Sequence, residues 1–342
     1  MKKYILSLVV LLVLFGLSAD ALPTVAIFTT GGTIAEKIDP KTGGAVPAVS
    51  GKDLIEAVPE LKKIANIKAI NFSNIDSSQM DPEIWAGLSK KVDEVLQDRD
   101  IKGAVITHGT DTMAEGAYFL DLTLKTDKPV VFVGAMRNAS EISPDGPANL
   151  RDAVTQVCSD NAKGWGVTVT MNQYINSARD VEKKQTTNVQ TFKSGEKGYL
   201  GYITNGEVIR FNDRLYRVRL PIPKKLPDVP LIKMYPGSDG RFIRHAVEMG
   251  VEGIVIEAVG AGNVNAKMYK AIKGALALKI PVVITSSVIH GGVFSDYGDI
   301  GGGAMLKKNG AILSRSLKGP KVRLLLMLAI PQGKDIKNYF TL

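Results

Sequence analysis

Short apolar segments alternate with amphipathic segments along this chain, and that alternation is the strongest constraint on its fold. Runs rich in β-branched residues, with the length of buried strands, occupy residues 25–28, 104–107, 129–133 and 167–170. Between the first two runs, Asp81 and Pro82 offer a helix cap and a first-turn proline. The helix expected there has one apolar face, formed by Ile84, Trp85, Leu88, Val92, Val95 and Leu96. The pattern predicts an α/β fold with a mostly parallel sheet flanked by helices.

A change in composition divides the chain of 342 residues, which is long enough for two domains. Arginine and proline accumulate at Arg214, Arg217, Arg219, Pro221, Pro223, Pro227 and Pro230. Such a stretch is typical of a linker. A second, smaller α/β pattern follows, with strands at 253–256 and 282–284, a helix near 266–278 and a last helical segment before the carboxyl end. We therefore expect an N-terminal domain over 22–212, a linker over 213–229 and a C-terminal domain over 230–342.

The first 21 residues have the pattern of a secretory signal peptide. Lys2 and Lys3 precede an apolar run over residues 4–17, and small residues follow up to Ala21. The apolar run is shorter than the ~20 residues that a membrane-spanning helix needs. We expect cleavage before Leu22, delivery to the periplasm or medium, and no stable membrane insertion after the leader is removed.

Charge and cysteine content exclude several classes of protein. The formal net charge is +9, but the lysines are dispersed and aromatic residues make up only 6% of the chain, so a nucleic-acid partner is not expected. Cys158 is the only cysteine, which rules out an intrachain disulfide, and we expect it to be buried in a helix. The histidines lie apart at 108, 245 and 290, and no metal-binding motif is present. The sequence predicts neither a metal nor another cofactor.

Two polar motifs follow predicted strands, where ligands bind in open α/β sheets. Residues 29–35 read Thr-Thr-Gly-Gly-Thr-Ile-Ala, and residues 108–113 read His-Gly-Thr-Asp-Thr-Met. Taken singly, the Gly-Gly-Thr turn could be a tight connection and Asp111 could be a helix cap. We expect His108, next to Gly109, to have a structural role at its strand end.

Taken together, the segments 30–35 and 108–113 closely resemble the paired signatures of the asparaginase/glutaminase family. Further matches lie at residues 118–122, 133–137, 145–147 and 179–181. The leader and residues 186–192 resemble the exported type. The resemblance implies a flavodoxin-like N-terminal domain. It also implies hydrolysis of L-asparagine to L-aspartate and ammonia through an acyl-enzyme intermediate.

The resemblance implies that Thr33 is the nucleophile, supported by Thr110, Asp111 and Lys183. A threonine hydroxyl is a poor nucleophile and needs a base nearby. Lys183 matches the family's lysine by its place after residues 179–181, where a neutral amine would receive a proton relayed through Thr110. Without the resemblance, Lys183 would be taken for a surface lysine like Lys184.

The substrate is a zwitterion, so the site needs an acid for its ammonium and hydrogen-bond donors for its carboxylate. By the resemblance, Asp111 binds the ammonium and Ser77 binds the carboxylate. Ser78 stands where exported relatives commonly have glutamine, and the Asp-Ser-Ser version at 76–78 is closer to cytoplasmic relatives. As an alternative, Ser77 and Ser78 could simply end a strand before the helix at Pro82.

The C-terminal domain of the family completes a neighbouring subunit's pocket, so the resemblance implies a homotetramer built as a dimer of dimers. Residues 260–265 match the contributing loop, with Asn265 as the ligand-side residue. The intersubunit acid has no clean counterpart. Asp299 is nearest by its spacing after Ser286, with Asp296 as a rival.

The lid and the substrate leave alternatives open. The expected lid over residues 36–49 contains no tyrosine, whereas many relatives carry one there. A glutaminase-asparaginase of broader specificity is the second reading, because one methylene is worth only about 1–3 kcal/mol in a pocket. An exported solute-binding protein is a third. The set of Thr33, Thr110, Asp111 and Lys183 favours an enzyme, since a binder would not need it.

Overall fold

The computed structural model describes residues 21–38, 41–42, 45–47, 51–215, 217–333 and 335–341. The expected leader therefore lies outside the described residues, apart from Ala21. The strands, in chain order, are β1 (Thr24–Thr29), β2 (Glu36–Ile38), β3 (Ala45–Pro47), β4 (Asn66–Asn71), β5 (Ile101–Thr107), β6 (Val130–Val133), β7 (Val167–Met171), β8 (Tyr174–Ser177), β9 (Glu182–Lys183), β10 (Phe192–Lys193), β11 (Gly201–Thr204), β12 (Glu207–Arg210), β13 (Leu231–Lys233), β14 (Ile254–Ala258), β15 (Val282–Ser286) and β16 (Ile312–Leu313). The α-helices are α1 (Gly51–Glu56), α2 (Pro82–Leu96), α3 (Met113–Thr123), α4 (Gly146–Cys158), α5 (Arg241–Glu248), α6 (Ala266–Ala277), α7 (Gly303–Lys308) and α8 (Gly319–Ala329).

The N-terminal half is built on one sheet with the strand order β12-β11-β8-β7-β6-β5-β1-β4. Its strands from β7 to β4 pair in parallel, and β8, β11 and β12 extend it with antiparallel pairs. In chain order the parallel strands stand as 2-1-3-4-5, which is the flavodoxin-like arrangement. The mostly parallel sheet and its fold class are therefore as expected.

Burial explains which strands the sequence could predict. The central strands β1, β5, β6 and β7 are buried along almost their whole length, so they read as continuous apolar runs. Strand β4 lies at the sheet edge, and most of its residues are exposed. It gives no such run, which is why it was not expected.

The helix expected after Asp81 is α2, and its cap has the expected geometry. The Asp81 carboxylate accepts a hydrogen bond from the amide of Ile84 at 2.8 Å, and Pro82 is the first helical residue. The face of α2 turned to the core buries Trp85, Leu88, Val92 and Leu96, whereas Ile84 and Val95 are partly buried against it.

A smaller parallel sheet with the order β13-β14-β15-β16 forms the core of the C-terminal half. Between the two sheets, the described residues from 211 to 230 hold neither helix nor strand. Arg214 pairs with the buried Asp121 of α3 at 2.8 Å, and Arg219 pairs with Asp127. This segment is thus attached to the N-terminal half by its arginines, and the domain limits stay a prediction.

Cys158 is the last residue of α4, as the helical pattern suggested, but its exposure differs from expectation. It is half-buried and packs at the margin of the core, because it lies at the helix end. Burial raises the pKa of its thiol to about 11, so the thiol keeps its proton at neutral pH. Among the described residues, no helix has the length and apolar character needed to cross a bilayer.

Candidate active site

The strand order brings both polar motifs to one point. Strands β1 and β5 are neighbours, and their last residues, Thr29 and Thr107, are paired in register. The strand order reverses between β1 and β5, and such a switch point opens a crevice at the carboxyl ends of the strands. The amide and hydroxyl of Thr30 both donate to the carbonyl of Thr107, at 3.2 and 2.9 Å, and join the two strand ends.

Two glycines allow the loops to approach each other closely. Gly32 has φ +85°, and a Cβ atom added to it would lie 2.3 Å from the Cα of Gly109. Gly31 has φ +108°, and its added Cβ would lie 2.4 Å from the carbonyl oxygen of Ile75. Side chains have no room at either position. The turn after β1 therefore lies against the loops that follow β5 and β4.

Thr33 is the residue that this turn delivers next to the loop at Gly109. It is half-buried and begins a short 3₁₀ turn, Thr33–Ala35. The chain then forms β2 and β3, which pair antiparallel as a hairpin. Residues 39–40, 43–44 and 48–49 of the expected lid lie outside the described residues.

Ser77 and Ser78 have different surroundings. Ser77 is buried, and its Oγ accepts a hydrogen bond from the amide of Asp111 at 3.2 Å. The carbonyl of Ser77 accepts a second one from the Thr112 hydroxyl at 2.7 Å. Ser78 is exposed, and its Oγ accepts from Gln79 Nε2 at 3.2 Å. Ser77 is thus part of the loop cluster, whereas Ser78 faces solvent at its margin.

Lys183 joins the cluster from a distant part of the chain. Its Nζ donates to Thr110 Oγ1 at 2.9 Å and to Asp111 Oδ1 at 2.7 Å. Its place is held by β9, where Lys183 is paired in register with the buried Phe192. The adjacent Lys184 instead pairs with Glu182. The structure therefore distinguishes two lysines that look equivalent in sequence.

Comparisons with known proteins identify the family of this chain. A family model described as "Asparaginase, N-terminal" matches residues 24–216, and one described as "Glutaminase/Asparaginase C-terminal domain" matches residues 228–341. The chain belongs to the asparaginase family. Its two parts follow one another in the family's order, with residues 217–227 between them.

Individual asparaginases match almost the whole chain. "Probable L-asparaginase periplasmic" of Haemophilus influenzae is 41% identical over 96% of each chain. "L-asparaginase 2" of Escherichia coli is 40% identical over 94% of this chain and 92% of its own. The crystal structure of "Probable Cytoplasmic L-asparaginase from Campylobacter jejuni" has a TM-score of 0.84 and 39% identity, covering 93% of this chain and 99% of that one.

His108 serves the framework of this asparaginase fold, as expected. The ring is fully buried, with Nε2 accepting from Trp85 Nε1 at 3.3 Å and Nδ1 hydrogen-bonded to the Gly109 carbonyl at 2.7 Å. These partners place the single proton of a neutral ring on Nδ1. Burial lowers the pKa of His108 to about 4. The ring is uncharged at neutral pH and turned into the protein.

Asn265 and the acids of the glycine-rich loop are not brought into the cluster within one chain. Asn265 caps α6, since its Oδ1 accepts from the Met268 amide at 2.9 Å and its Nδ2 donates to the Ser238 carbonyl at 2.7 Å. Asp296 and Asp299 lie exposed on the C-terminal domain. Their expected place in a neighbouring subunit's pocket stays a prediction.

A cleft between the two sheets opens beside Asp111 and Lys183, and the sequence did not indicate its lining. Glu115, Glu182 and Lys321 contribute to it. Burial raises the pKa of Glu115. The sequence offers one signal for Lys321, because a lysine that precedes a run of leucines lies on an otherwise apolar helix face.

In the part of the chain that the structure describes, no group of His, Cys, Asp and Glu could hold a metal ion.

We expect the contact between Gly32 and Gly109 to be intolerant of a methyl group. Gly164 also has φ +85° but open space around it. Gly164→Ala therefore has only the cost of placing an alanine at positive φ, without steric overlap. That variant should lower the free energy of unfolding by about 1 kcal/mol. Gly32→Ala should lower it by a further ~1–3 kcal/mol from steric overlap. Urea denaturation of both variants measures this, and equal losses would contradict the close approach.

The buried His108 should make the protein acid-sensitive. In the folded protein the pKa of His108 is about 4, below the ordinary 6.5. The contribution of the neutral ring to the free energy of unfolding is therefore complete above pH 6.5 and is lost as the pH falls towards 4. We expect the free energy of unfolding to fall by about 3 kcal/mol over this range. His108→Gln should remove this part of the pH dependence, and exposed His245→Gln should retain it. Urea denaturation between pH 7 and pH 4 is the measurement, and identical pH slopes in both variants would rule out His108 as the source.

Proposed function

We propose that this protein hydrolyses the side-chain amide of L-asparagine to L-aspartate and ammonia, with Thr33 as the nucleophile. The observation that carries the proposal is the amine of Lys183, hydrogen-bonded to both Thr110 and Asp111 beside the turn that holds Thr33. A binding protein has no need of an amine held against a threonine hydroxyl in this way. The asparaginases that the chain resembles support the same reaction.

In the proposed acylation step, the Thr33 hydroxyl oxygen attacks the amide carbon of the substrate. Its proton passes through the Thr110 hydroxyl to the amine of Lys183, which acts as the base. Backbone amides of the loops around Thr33 and Thr110 donate to the oxyanion of the tetrahedral intermediate. The C–N bond then breaks, ammonia leaves with a returned proton, and an ester to Thr33 remains. Water cleaves this ester by the reverse sequence of proton transfers and releases aspartate.

Substrate binding follows from the charges at the edge of the cluster. The carboxylate of Asp111 is 64% exposed, so it can receive the substrate ammonium while it still contacts Lys183. Ser77 Oγ accepts from the Asp111 amide, and a hydroxyl that accepts one hydrogen bond can still donate its own proton to a carboxylate. Ser78, exposed beside it, offers a second hydroxyl. No metal, nucleotide or flavin enters this scheme.

The proposal is tested by ammonia release from asparagine and glutamine, side by side, with variants of the two lysines. Lys183→Met should lower the turnover number by at least ~10²-fold, the scale of lost general-base assistance. Lys184→Met, which removes the neighbour that pairs with Glu182, should change it little. Thr33→Ala should release no ammonia but still bind aspartate through Asp111 and Ser77.

Thermal melting of each variant separates loss of function from loss of fold. Near-normal turnover in folded Lys183→Met would refute the proton relay. If the wild-type protein binds aspartate but releases no ammonia from either amide, a solute-binding role replaces the enzyme. Comparable rates on both amides would identify the broader glutaminase-asparaginase.

We further propose export and assembly as a homotetramer. The periplasmic name of one relative supports export, although the similar Campylobacter jejuni protein is described as cytoplasmic. In the tetramer, Asn265 and Asp299 would reach a neighbouring subunit's pocket. Native mass spectrometry of exported protein should give the mass of four chains that begin at Leu22. An active monomer, or chains that retain residues 1–21, would overturn the corresponding part of this proposal.

A further inference from the structure

Lys321 is a buried cation of the C-terminal domain whose partners all belong to the N-terminal domain. It lies in the first turn of α8, and its side chain is almost fully inaccessible. Its Nζ donates to the carbonyl oxygens of Ala178 at 2.8 Å, Arg179 at 3.0 Å and Val181 at 2.5 Å. An ammonium has three protons, so three carbonyls satisfy it. Lys321 thus fastens one short loop of the other domain to α8.

That loop leads directly into β9, the strand that carries Lys183. It connects β8 to β9, and Lys183 follows the last of the three carbonyls by two residues. The same loop is fastened a second time, because Arg179 Nη2 donates to Ser316 Oγ at 3.2 Å just before α8. The backbone that leads to Lys183 is therefore positioned from the C-terminal domain.

Lys321 also contacts the helix that follows the other half of the cluster. Its Nζ lies 5.8 Å from the centroid of the Tyr118 ring in α3, within the range of a cation–π contact. Helix α3 begins at Met113, directly after the segment that bears Thr110 and Asp111. The ammonium of Lys321 thus contacts both the loop that precedes Lys183 and the helix that follows Thr110 and Asp111.

A lysine at this place is costly to bury. A buried ammonium carries a desolvation penalty, which its hydrogen bonds to the three carbonyls offset. Burial lowers the pKa of Lys321 to about 8, while Glu115, Asp180 and Glu182 oppose that shift. The protein retains this cation where three carbonyls need a donor.

We infer that Lys321 is a positioning residue that sets the Lys183 amine against Thr110. The inference rests on the proposed amide hydrolysis and extends it, because it makes the C-terminal domain of the same chain part of the catalytic geometry. Lys321 does not touch the substrate in this scheme. It acts through the backbone that bears Lys183.

The test compares Lys321→Met with Arg323→Met from the same helix. Arg323 donates from Nε to the Val229 carbonyl at 2.7 Å, so its loss also removes a cation that bonds backbone, but away from the loop of Lys183. Lys321→Met should lower kcat by about 10-fold or more, as expected when a reacting group is misplaced by a fraction of an ångström. KM should change little. Arg323→Met should keep near-normal kcat.

Two further measurements separate positioning from general support of the fold. In a Lys183→Met background, Lys321→Met should cause no further loss of kcat, because both act through one amine. Multiplied losses would overturn the inference. Reductive methylation followed by mass spectrometry should label Lys183 severalfold faster in Lys321→Met than in wild type or Arg323→Met, and equal labelling would also overturn it.

The labelling experiment does not depend on turnover, so it still decides the inference if the wild-type protein releases no ammonia. That result would defeat the proposed function alone. If Lys321→Met does not fold, Lys321→Gln replaces it, since an amide can donate to two of the three carbonyls. An intermediate rise in Lys183 labelling is then expected, and labelling at the wild-type rate would refute the positioning role.

Discussion

The site depends on the close approach of two backbone segments, the turn after β1 and the loop after β5. Gly32 and Gly109 meet with no room for a side chain at Gly32. A Cβ atom on Gly109 would in turn lie 2.6 Å from Ser77 Oγ. The loop after β4, which bears Ser77, is therefore packed closely against the loop after β5. Parallel pairing of β1, β4 and β5 supplies the common edge at which these loops end. The backbone segments that bear Thr33, Ser77 and Thr110 are thereby held against one another.

The same physical reasons explain what could be predicted from the sequence. Strands that are buried on both faces form continuous apolar runs and can be read directly, whereas the edge strand β4 and the antiparallel strands β8, β11 and β12 leave only short, half-exposed segments. The motifs at Thr33 and Thr110 were recognisable because each follows a readable strand. Their contact could be inferred only from strand order, which periodicity does not specify.

Residues that depend on distant contacts could not be predicted in the same way. Without the family resemblance the sequence does not distinguish Lys183 from Lys184, and their different contacts follow from the pairing of β9 with β10. The partners of Lys321 are backbone carbonyls some 140 residues away, so its position on an apolar helix face is the only trace of them in the sequence. Asn265 was recognised by resemblance, and its use as the cap of α6 becomes apparent only with the fold.

The arginines between the two sheets have a bearing on how the protein would withstand proteases. Exposed connecting segments are preferred sites for nicking, and trypsin-like enzymes cut after arginine. Here the side chains of Arg214 and Arg217 are each only 15% exposed and are held against Asp121, which is itself buried. A protease must bind several residues in an extended form, so the segment would first have to detach from the N-terminal half. Resistance to nicking after Arg214 and Arg217 thus depends on the buried carboxylate of Asp121 rather than on the absence of cleavable bonds.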